Sequence, residues 1–468
     1  MTTDYRIEKD SLGDIRVPKK ALYGAQTMRA IQNYPISGRT AHPALIRAYL
    51  RLKSAAASAN AKAGVLSPNS ARLITQAVNE LLKMPITEWS LIFPVDPYQA
   101  GAGTSQNMNM NEVIANVGNR LAGKNLGTYH PLHPNDHVNR SQSTNDTFPT
   151  AMRMALLDAS LPLAGELKAL AASFLKKSQA WMKIPKSGRT HLQDAVPMRL
   201  GQEIAAYATV LNRCAVWLEQ GRNELRELGI GGSAAGTGLT VPPVYRKTII
   251  PELSKLTGEK LRPASNLCEA MQSQSPVVFY SSMLRLMSLE LTRICNDLRL
   301  LASGPHTGLA EILLPAVQPG SSIMPGKVNP SILEMANQTW YSVLGYEQTV
   351  TYAVQAGQLE LNVMMPIMAY SALEATQVAT QAIQVLRLRC IDGLEPNEPR
   401  LKRYFESTPQ IATALSPRLG YETTAKLVKE SLERGCSVID LVKERKLIPL
   451  HDLEKLLKID ALAPVNPK

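Results

Sequence analysis

The 468-residue sequence has few aromatic and few charged residues, 5% and 19%, and only five cysteines. The low charge content excludes a long acidic or basic disordered tail. The cysteines are scattered without a C-x-x-C pair, which is typical of reduced thiols in the cytoplasm. No run of about 18 uncharged apolar residues occurs, so we expect no membrane-spanning helix. The first residues, MTTDYRIEKD, lack an apolar core and predict no secretory signal.

Apolar residues make up 45% of the chain, enough for a sizeable core, and the net charge is +12. At roughly 100–200 residues per domain, the length predicts two to four domains. The positive charge is spread out and forms no basic stripe interleaved with aromatic residues. A diffuse charge of this kind attracts small anions as well as nucleic acid, so charge alone favours neither partner.

The placement of proline predicts long helices. Met198–Val241 and Val277–Gly304 contain no proline, and Ser331–Leu394 contains only Pro366. Proline disrupts a helix interior, so such gaps suit long helices. In the second stretch apolar residues recur every three or four positions and also occupy other sides, as in a helix buried among helices. We therefore expect a mainly α fold with about five long helices in a central bundle.

Composition divides the chain into three predicted parts. A mixed N-terminal domain, residues 1–141, is rich in Pro, Gly and Asn. A central helical bundle spans 142–394, in which Thr150–Met182 is a long helix that Pro162 kinks or breaks. A small C-terminal helical domain, 395–468, follows the linker-like stretch EPNEP.

Four segments rich in side-chain donors precede predicted helices: Thr104–Asn107, Ser143–Asp146, Thr190–Asp194 and Lys327–Asn329. Ser, Thr, Asn and Asp are common N-cap residues, so each segment alone is explained by a capped helix. A cap needs one oxygen, however, and each segment supplies several donors. Helix N-termini bind anions, so convergence of these segments predicts a site for a substrate with more than one carboxylate or phosphate.

The stretch Gly320–Pro330, GSSIMPGKVNP, is the most informative of the loops. Gly320 and Gly326 allow mobility, while Ser321 and Lys327 supply a hydroxyl and a charge. The pattern favours a closing loop that carries a catalytic group, with an ordinary polar loop as the alternative.

Other motifs do not meet the requirements of their sites. Gly229–Ala234 matches G-x-G-x-x-A but follows a charged helical run instead of a strand, which argues against dinucleotide binding. His130, His133 and His137 have the residue type for a metal site, but two intervening prolines disrupt their spacing, so we predict none. His191 lies inside a donor segment, where a catalytic role fits at least as well as a core role.

GSSIMPGKVNP resembles the characteristic loop of the aspartase/fumarase superfamily, and the resemblance covers the chain from about Tyr5 to about Leu457. Five further motifs match in order: DSLGDIRVPKKALYGAQT, GAGTSQNMNMNEV, HPNDHVNRSQSTND, GRTHLQDAVP and GTGL. The resemblance implies a three-domain fold whose central long helices form a twenty-helix core in a homotetramer. It also implies that each active site is built from segments of three subunits.

The implied chemistry is reversible anti elimination from a succinyl group, giving fumarate through an aci-carboxylate. By resemblance Ser321 is the base, Lys327 and Asn329 hold the carboxylate that takes up charge, and His191 pairs with Glu334 as a supporting relay. Asn145 is placed near the leaving group. The implied substrate-binding residues are Thr104, Ser143, Thr144, Asn145, Thr190 and Asn329. No cofactor is required by this resemblance, although a divalent cation could act as an activator.

The segments QSTND, NDHVN, FPVDPYQ and DAVP are more similar to aspartate ammonia-lyases than to class II fumarases. Three positions depart from both patterns. Met365 stands where aspartases usually carry an acid and fumarases a Lys, His306 replaces a usual Arg, and Thr240 replaces a usual Asn. The first hypothesis is a carbon–nitrogen lyase acting on L-aspartate. The alternatives are a class II fumarase, another succinyl lyase, and a non-catalytic protein that binds polyanions through its +12 charge.

Overall fold

A computed structural model describes residues 4–464, so the extreme ends of the first and last predicted domains, residues 1–3 and 465–468, lie outside it. The α-helices are α1 Ala25–Asn33, α2 Pro43–Lys62, α3 Pro68–Lys83, α4 Ile86–Ile92, α5 Thr104–Leu121, α6 Thr144–Ala180, α7 Leu200–Leu225, α8 Pro243–Thr257, α9 Leu267–Gln272, α10 Ser275–Leu301, α11 Ser331–Gln355, α12 Met365–Leu386, α13 Glu398–Ser407, α14 Ser416–Leu419, α15 Tyr421–Arg434, α16 Val438–Glu444, α17 Leu450–Leu456 and α18 Ile459–Leu462.

The β-structure between residues 4 and 464 consists of short pairs. The strands are β1 Tyr5–Asp10, β2 Gly13–Pro18, β3 Pro185–Thr190, β4 Gln193–Arg199, β5 Glu227–Leu228, β6 Arg262–Pro263, β7 Ile312–Leu313 and β8 Glu395–Pro396. β1 pairs with β2, β3 with β4 and β7 with β8, all antiparallel, whereas β5 and β6 are parallel. The EPNEP stretch is therefore not a linker, because it forms β8 and the start of α13.

The prediction of a mainly α fold with about five long helices is confirmed by α6, α7, α10, α11 and α12. Of the kink or break expected at Pro162, the break is wrong, since α6 continues through both Pro149 and Pro162.

The chain divides into two compact units. The first comprises the chain up to Ala164, Val216–Ser288 and Tyr341–Thr380, and the second comprises Gly165–Ala215, Leu289–Trp340 and the chain from Gln381 onward. Every boundary between these units falls inside one of the five long helices. These two units do not coincide with the three consecutive domains expected from the sequence, and those domains remain a prediction.

Within the first unit, Gly103 permits α5 to begin close against α6. Gly103 has φ +84°, and a Cβ there would lie 2.0 Å from Cδ2 of Phe148. The Phe148 ring packs edge-on against Tyr49 with centroids 6.0 Å apart. The start of α5, and with it Thr104, is thus set by a glycine that leaves room for a buried ring.

Several long helices present large apolar side chains to solvent in the single chain. Phe279 is 42% exposed, Leu289 is 47% exposed, and Tyr341 and Tyr352 are 56% and 60% exposed. Repeated exposure of this kind on bundle helices indicates surfaces that another chain covers. No helix within residues 4–464 is long and apolar enough to cross a membrane.

We expect a stable homotetramer in solution, because these helix faces have too much apolar surface to remain in water. Sedimentation at low and high salt is the measurement. Apolar contacts are insensitive to ionic screening, so the tetramer should persist at both salt concentrations. A folded, monodisperse monomer would contradict the prediction.

Replacement of Gly103 tests the close approach of α5 and α6. We expect Gly103→Ala to lower the melting temperature more than Gly123→Ala, a matched control at the other end of α5. Both positions have positive φ, but a Cβ at Gly123 meets nothing within 4 Å. Both variants bear the left-handed backbone cost of about 1–2 kcal/mol, and only Gly103→Ala adds overpacking of about 1–3 kcal/mol. Equal losses would show that Phe148 moves aside freely.

Candidate active site

The start of α6 is organised by a reciprocal cap. The Asn145 backbone N–H donates to Ser143 Oγ at 3.3 Å, and the Ser143 N–H donates to Asp146 Oδ1 at 3.0 Å. This is the capping-box arrangement, with Asp in the position of the usual Glu. Asn145 also donates from Nδ2 to the Ala234 carbonyl oxygen at 2.8 Å. Ser143, Thr144 and Asn145 are therefore held, half-buried, at one helix N-terminus.

Asp146 connects this helix start to the glycine-rich loop that contains Gly231. Its Oδ2 accepts the backbone N–H groups of Gly231 at 3.1 Å and Ser233 at 2.9 Å. Burial raises the pKa of Asp146 to about 6, although these N–H donors and the nearby charge of Lys53 act in the opposite direction. The glycine-rich stretch thus has a structural role beside the donor segment.

Lys53 lies fully buried on α2 next to the same helix start. Its Nζ donates to Asn107 Oδ1 at 2.8 Å, to Asn139 Oδ1 at 3.1 Å and to Gln142 Oε1 at 3.0 Å. Burial lowers the pKa of Lys53 to about 7, while the negative charge of Asp146 favours the protonated form. Sequence reasoning missed this lysine, for which the available signal was one charge within the alanine-rich run LKSAAASAN.

Thr104 is the first residue of α5 and is exposed. The preceding Ala102 donates its N–H to the Val363 carbonyl oxygen at 2.8 Å, which fixes the turn before the helix. One turn later, Asn107 donates from Nδ2 to Thr144 Oγ1 at 3.1 Å. The starts of α5 and α6 are therefore joined, and the first unit brings together four of the predicted residues: Thr104, Ser143, Thr144 and Asn145.

The prediction that Thr190–Asp194 lies at a helix start is wrong. Thr190 ends β3 and pairs with Gln193 of β4, so His191 and Leu192 form the two-residue turn of a hairpin. Both turn residues have positive φ, +56° and +58°, as this turn type requires. The hairpin places Thr190 and His191 at an exposed tip, and α7 begins only at Leu200.

A buried charge cluster holds the base of this hairpin. Nζ of Lys186 in β3 lies 2.7 Å from Oε2 of Glu203 and 2.8 Å from Oε2 of Glu311. Nη1 of Arg189 lies 2.7 Å from Oε1 of Glu311. Glu311 is fully buried. The Arg189 guanidinium also lies over the Tyr404 ring, 5.4 Å from its centroid. These residues, which sequence reasoning did not identify, fix the strand that leads to His191.

The loop around Ser321 is closed on itself. The Gly320 N–H donates to the Lys327 carbonyl oxygen at 2.8 Å, and Asn329 Nδ2 donates to the Gly320 carbonyl oxygen at 2.6 Å. The Asn329 side chain therefore holds the loop together. The sequence pattern predicted instead that it caps α11. Ser321 is half-buried and Lys327 is exposed.

Ser321 Oγ receives two main-chain donors. The N–H groups of Ile323 and Met324 point to it at 3.2 and 3.0 Å. Two fixed N–H groups on one oxygen stabilise negative charge on that oxygen. The arrangement is therefore chemically suited to a serine that functions as an alkoxide.

Glu334 lies in the first turn of α11. Within residues 4–464 of one chain its ion pair is with Arg299, at 4.0 Å, and no ion pair joins it to His191. The second unit thus contains the other six predicted residues: Thr190, His191, Ser321, Lys327, Asn329 and Glu334. Neither unit contains the whole set.

His133 and His137 make local hydrogen bonds. His133 Nδ1 accepts the N–H groups of Asn135 and Asp136, and His137 Nδ1 accepts the His133 N–H at 2.9 Å. Among residues 4–464, no group of three or more His, Cys, Asp or Glu side chains is arranged to hold a metal ion.

Comparisons with known proteins cover nearly the whole chain. The family described as "Lyase" matches residues 13–345, and "Fumarase C C-terminus" matches residues 411–463. An aspartate ammonia-lyase from Bacillus sp is 44% identical over 98% of this chain and 97% of its own length. A class II fumarate hydratase from Corynebacterium glutamicum is 43% identical over 98% and 97%.

Among solved structures, a fumarate lyase:delta crystallin from Brucella melitensis bound to cobalt has a TM-score of 0.94 and 42% identity, and the match covers 97% of this chain and 99% of that one. Sequence and structure thus match the same group of proteins over almost their full lengths. The chain belongs to the aspartase/fumarase superfamily of lyases.

Proposed function

We propose that this protein is a carbon–nitrogen lyase that reversibly removes ammonia from L-aspartate to give fumarate. The observation that carries the proposal is Ser321, whose Oγ receives the N–H groups of Ile323 and Met324. A serine hydroxyl is too weakly acidic to serve as a base unless its alkoxide is stabilised. The two main-chain donors supply that stabilisation.

In this mechanism Ser321 removes the proton from the carbon next to one carboxylate. The electrons move into that carboxylate and form an aci-carboxylate, which then expels the neighbouring amine as ammonia. Lys327 and Asn329 hold the carboxylate that gains charge, because fixed donors aimed at developing charge provide a large part of catalysis. Asn329 lies in the closed loop around Ser321, and its bond to the Gly320 carbonyl oxygen holds its side chain in position for this role.

Thr104, Ser143, Thr144, Asn145 and Thr190 bind the substrate in this proposal. Four of them belong to the first unit and Thr190 to the second, together with Ser321. We propose that association of chains in a homotetramer completes the set. The exposed helix faces described above support this association.

The geometry of Asn145 supports an amine as leaving group. Its Nδ2 uses one of two N–H groups to donate to the Ala234 carbonyl oxygen, which fixes the orientation of the amide and leaves Oδ1 as an acceptor for a ligand. An acceptor suits the ammonium group of the substrate, which carries donors only and departs as neutral ammonia. An amine as leaving group agrees with the segments QSTND, NDHVN, FPVDPYQ and DAVP, which are more similar to aspartate ammonia-lyases than to class II fumarases.

Fumarate hydratase activity is the second candidate function, because of His191. A departing hydroxyl needs a proton donor, and an exposed imidazole at a hairpin tip is able to supply one. In the proposed lyase His191 instead pairs with Glu334 from another chain as a supporting relay. Because Ser321, Lys327 and Asn329 occur together, a non-catalytic protein that binds polyanions is the weakest candidate.

The chemistry requires no cofactor, since every step uses side chains and main-chain groups of this protein. Activation by a divalent cation remains a prediction, as does a cytoplasmic location. The partner proposed for this site is a small dicarboxylate, and no role is proposed for nucleic acid or for a membrane.

Removal of the proposed base tests the mechanism. We expect Ser321→Ala to lose about 100- to 10,000-fold in turnover, while remaining folded and tetrameric. Ser322→Ala, which removes the neighbouring hydroxyl, is the matched control and should retain most activity. Lys327→Ala should also be nearly inactive through lost stabilisation of the carboxylate. A Ser321→Ala variant with a large share of wild-type turnover would exclude Ser321 as the base.

A side-by-side assay tests the leaving group. Purified protein at one concentration is incubated with L-aspartate or with L-malate, and fumarate is followed by its ultraviolet absorbance. We expect faster release from L-aspartate, because the Asn145 acceptor suits a cation and no acid is required on that side. Faster conversion of L-malate would replace the proposal with fumarate hydratase.

A further inference from the structure

Every N–H group of the buried Lys53 ammonium has an acceptor. It has three N–H groups, and the three side-chain oxygens of Asn107, Asn139 and Gln142 lie 2.8–3.1 Å from it. No carboxylate takes part in these three bonds. A buried cation that is satisfied only by amide oxygens dictates which way each amide must point.

Asn107 shows the consequence most clearly. Its Oδ1 accepts from Lys53, and its Nδ2 donates to Asn139 Oδ1 at 3.2 Å and to Thr144 Oγ1 at 3.1 Å. A turned amide would place NH₂ against the ammonium and one oxygen against another. Lys53 therefore fixes Asn107 as a donor to Thr144.

The hydroxyl proton of Thr144 is consequently directed away from Asn107. Farther along α6, Thr147 and Thr150 donate their hydroxyl protons to carbonyl oxygens four residues earlier, at 2.9 and 2.7 Å. Thr144 is the first residue of the helix, so it has no preceding helical turn to which it could donate. Its half-buried hydroxyl therefore keeps its proton for a ligand at the helix N-terminus.

We propose that Lys53 is a positioning residue which, through Asn107, fixes the Thr144 hydroxyl as a donor to a substrate carboxylate. The inference rests on the proposed function, because it takes Thr144 as a substrate-binding residue. It adds two buried residues, Lys53 and Asn107, that do not themselves touch the substrate. The positive charge of Lys53 lies behind the same helix start and favours an anion there.

The test is a double-mutant cycle with Asn107→Asp and Thr144→Ala. Asp at 107 has the same shape and pairs with Lys53, so thermal stability should be retained. Its carboxylate cannot donate to Thr144 and accepts the Thr144 hydroxyl proton instead, which removes that proton from the ligand. We expect fumarate binding by calorimetry to weaken about 10- to 100-fold in the wild-type background, and less than about threefold in the Thr144→Ala background.

Asn111→Asp is the matched control for charge. Asn111 lies one turn farther along α5 and also donates to Asn139 Oδ1, at 3.2 Å, but it makes no bond to Thr144. We expect this variant to weaken fumarate binding much less than Asn107→Asp. Equal losses from the two Asp variants, or equal losses from Asn107→Asp in both Thr144 backgrounds, would overturn the proposal.

Lys53→Met provides a second route if Asn107→Asp does not fold. Without the ammonium the Asn107 amide is free to turn, so the effect on fumarate binding should again depend on Thr144. Loss of binding that is independent of Thr144 would overturn the proposal.

Failure of the proposed function has its own signature. Wild-type protein that converts L-malate but not L-aspartate would overturn the proposed leaving group only, because both substrates have the same two carboxylates. Wild-type protein that converts neither and does not bind fumarate would overturn both proposals.

Discussion

The buried carboxylate of Asp146 is the interaction on which the candidate site depends most. It accepts N–H groups from Ser143, Gly231 and Ser233, so a single side chain fixes the first turn of α6 and the adjacent glycine-rich loop. The same loop supplies the Ala234 carbonyl that orients Asn145. Burial of a charge is unfavourable unless hydrogen bonds compensate. Burial raises the pKa of Asp146 to about 6, and the three N–H donors act in the opposite direction.

The two units contain chemically different parts of the proposed site. The first unit supplies neutral donors and acceptors at two helix starts, which suit binding and orientation. The second unit supplies the groups that move protons and meet developing charge, at a hairpin tip and in a loop. Asn107 joins the two helix starts, whereas the residues between Ser321 and Asn329 lie in an exposed loop. In the proposed function, association of chains in a homotetramer brings these parts together.

Sequence patterns predicted those parts of the molecule that obey local rules. The proline gaps revealed the long helices, and the donor clusters at Thr104 and Ser143 correctly indicated helix starts. The hairpin at His191 was missed because its strands are short and its turn uses two non-glycine residues at positive φ. Lys53 was missed, and Asp146 was identified only as a member of the donor segment Ser143–Asp146, for a different reason. Their partners come from distant segments, so no spacing along the chain reveals that these charges are buried and paired.

In the proposed mechanism, the geometry at Ser321 explains how a weak acid is able to act as a strong base. The proton leaves a carbon that is itself very weakly acidic, so the base must carry real negative charge before it reacts. Two N–H groups stabilise that charge on Oγ, and Lys327 and Asn329 meet the charge that appears on the carboxylate. Negative charge therefore moves from Oγ, where the two N–H groups stabilise it, to the carboxylate that Lys327 and Asn329 hold. The total charge of the site changes little. Because donors fixed beforehand need no reorganisation during the reaction, and because they act more strongly when water is excluded, closure of the loop over the substrate would strengthen both sets at once.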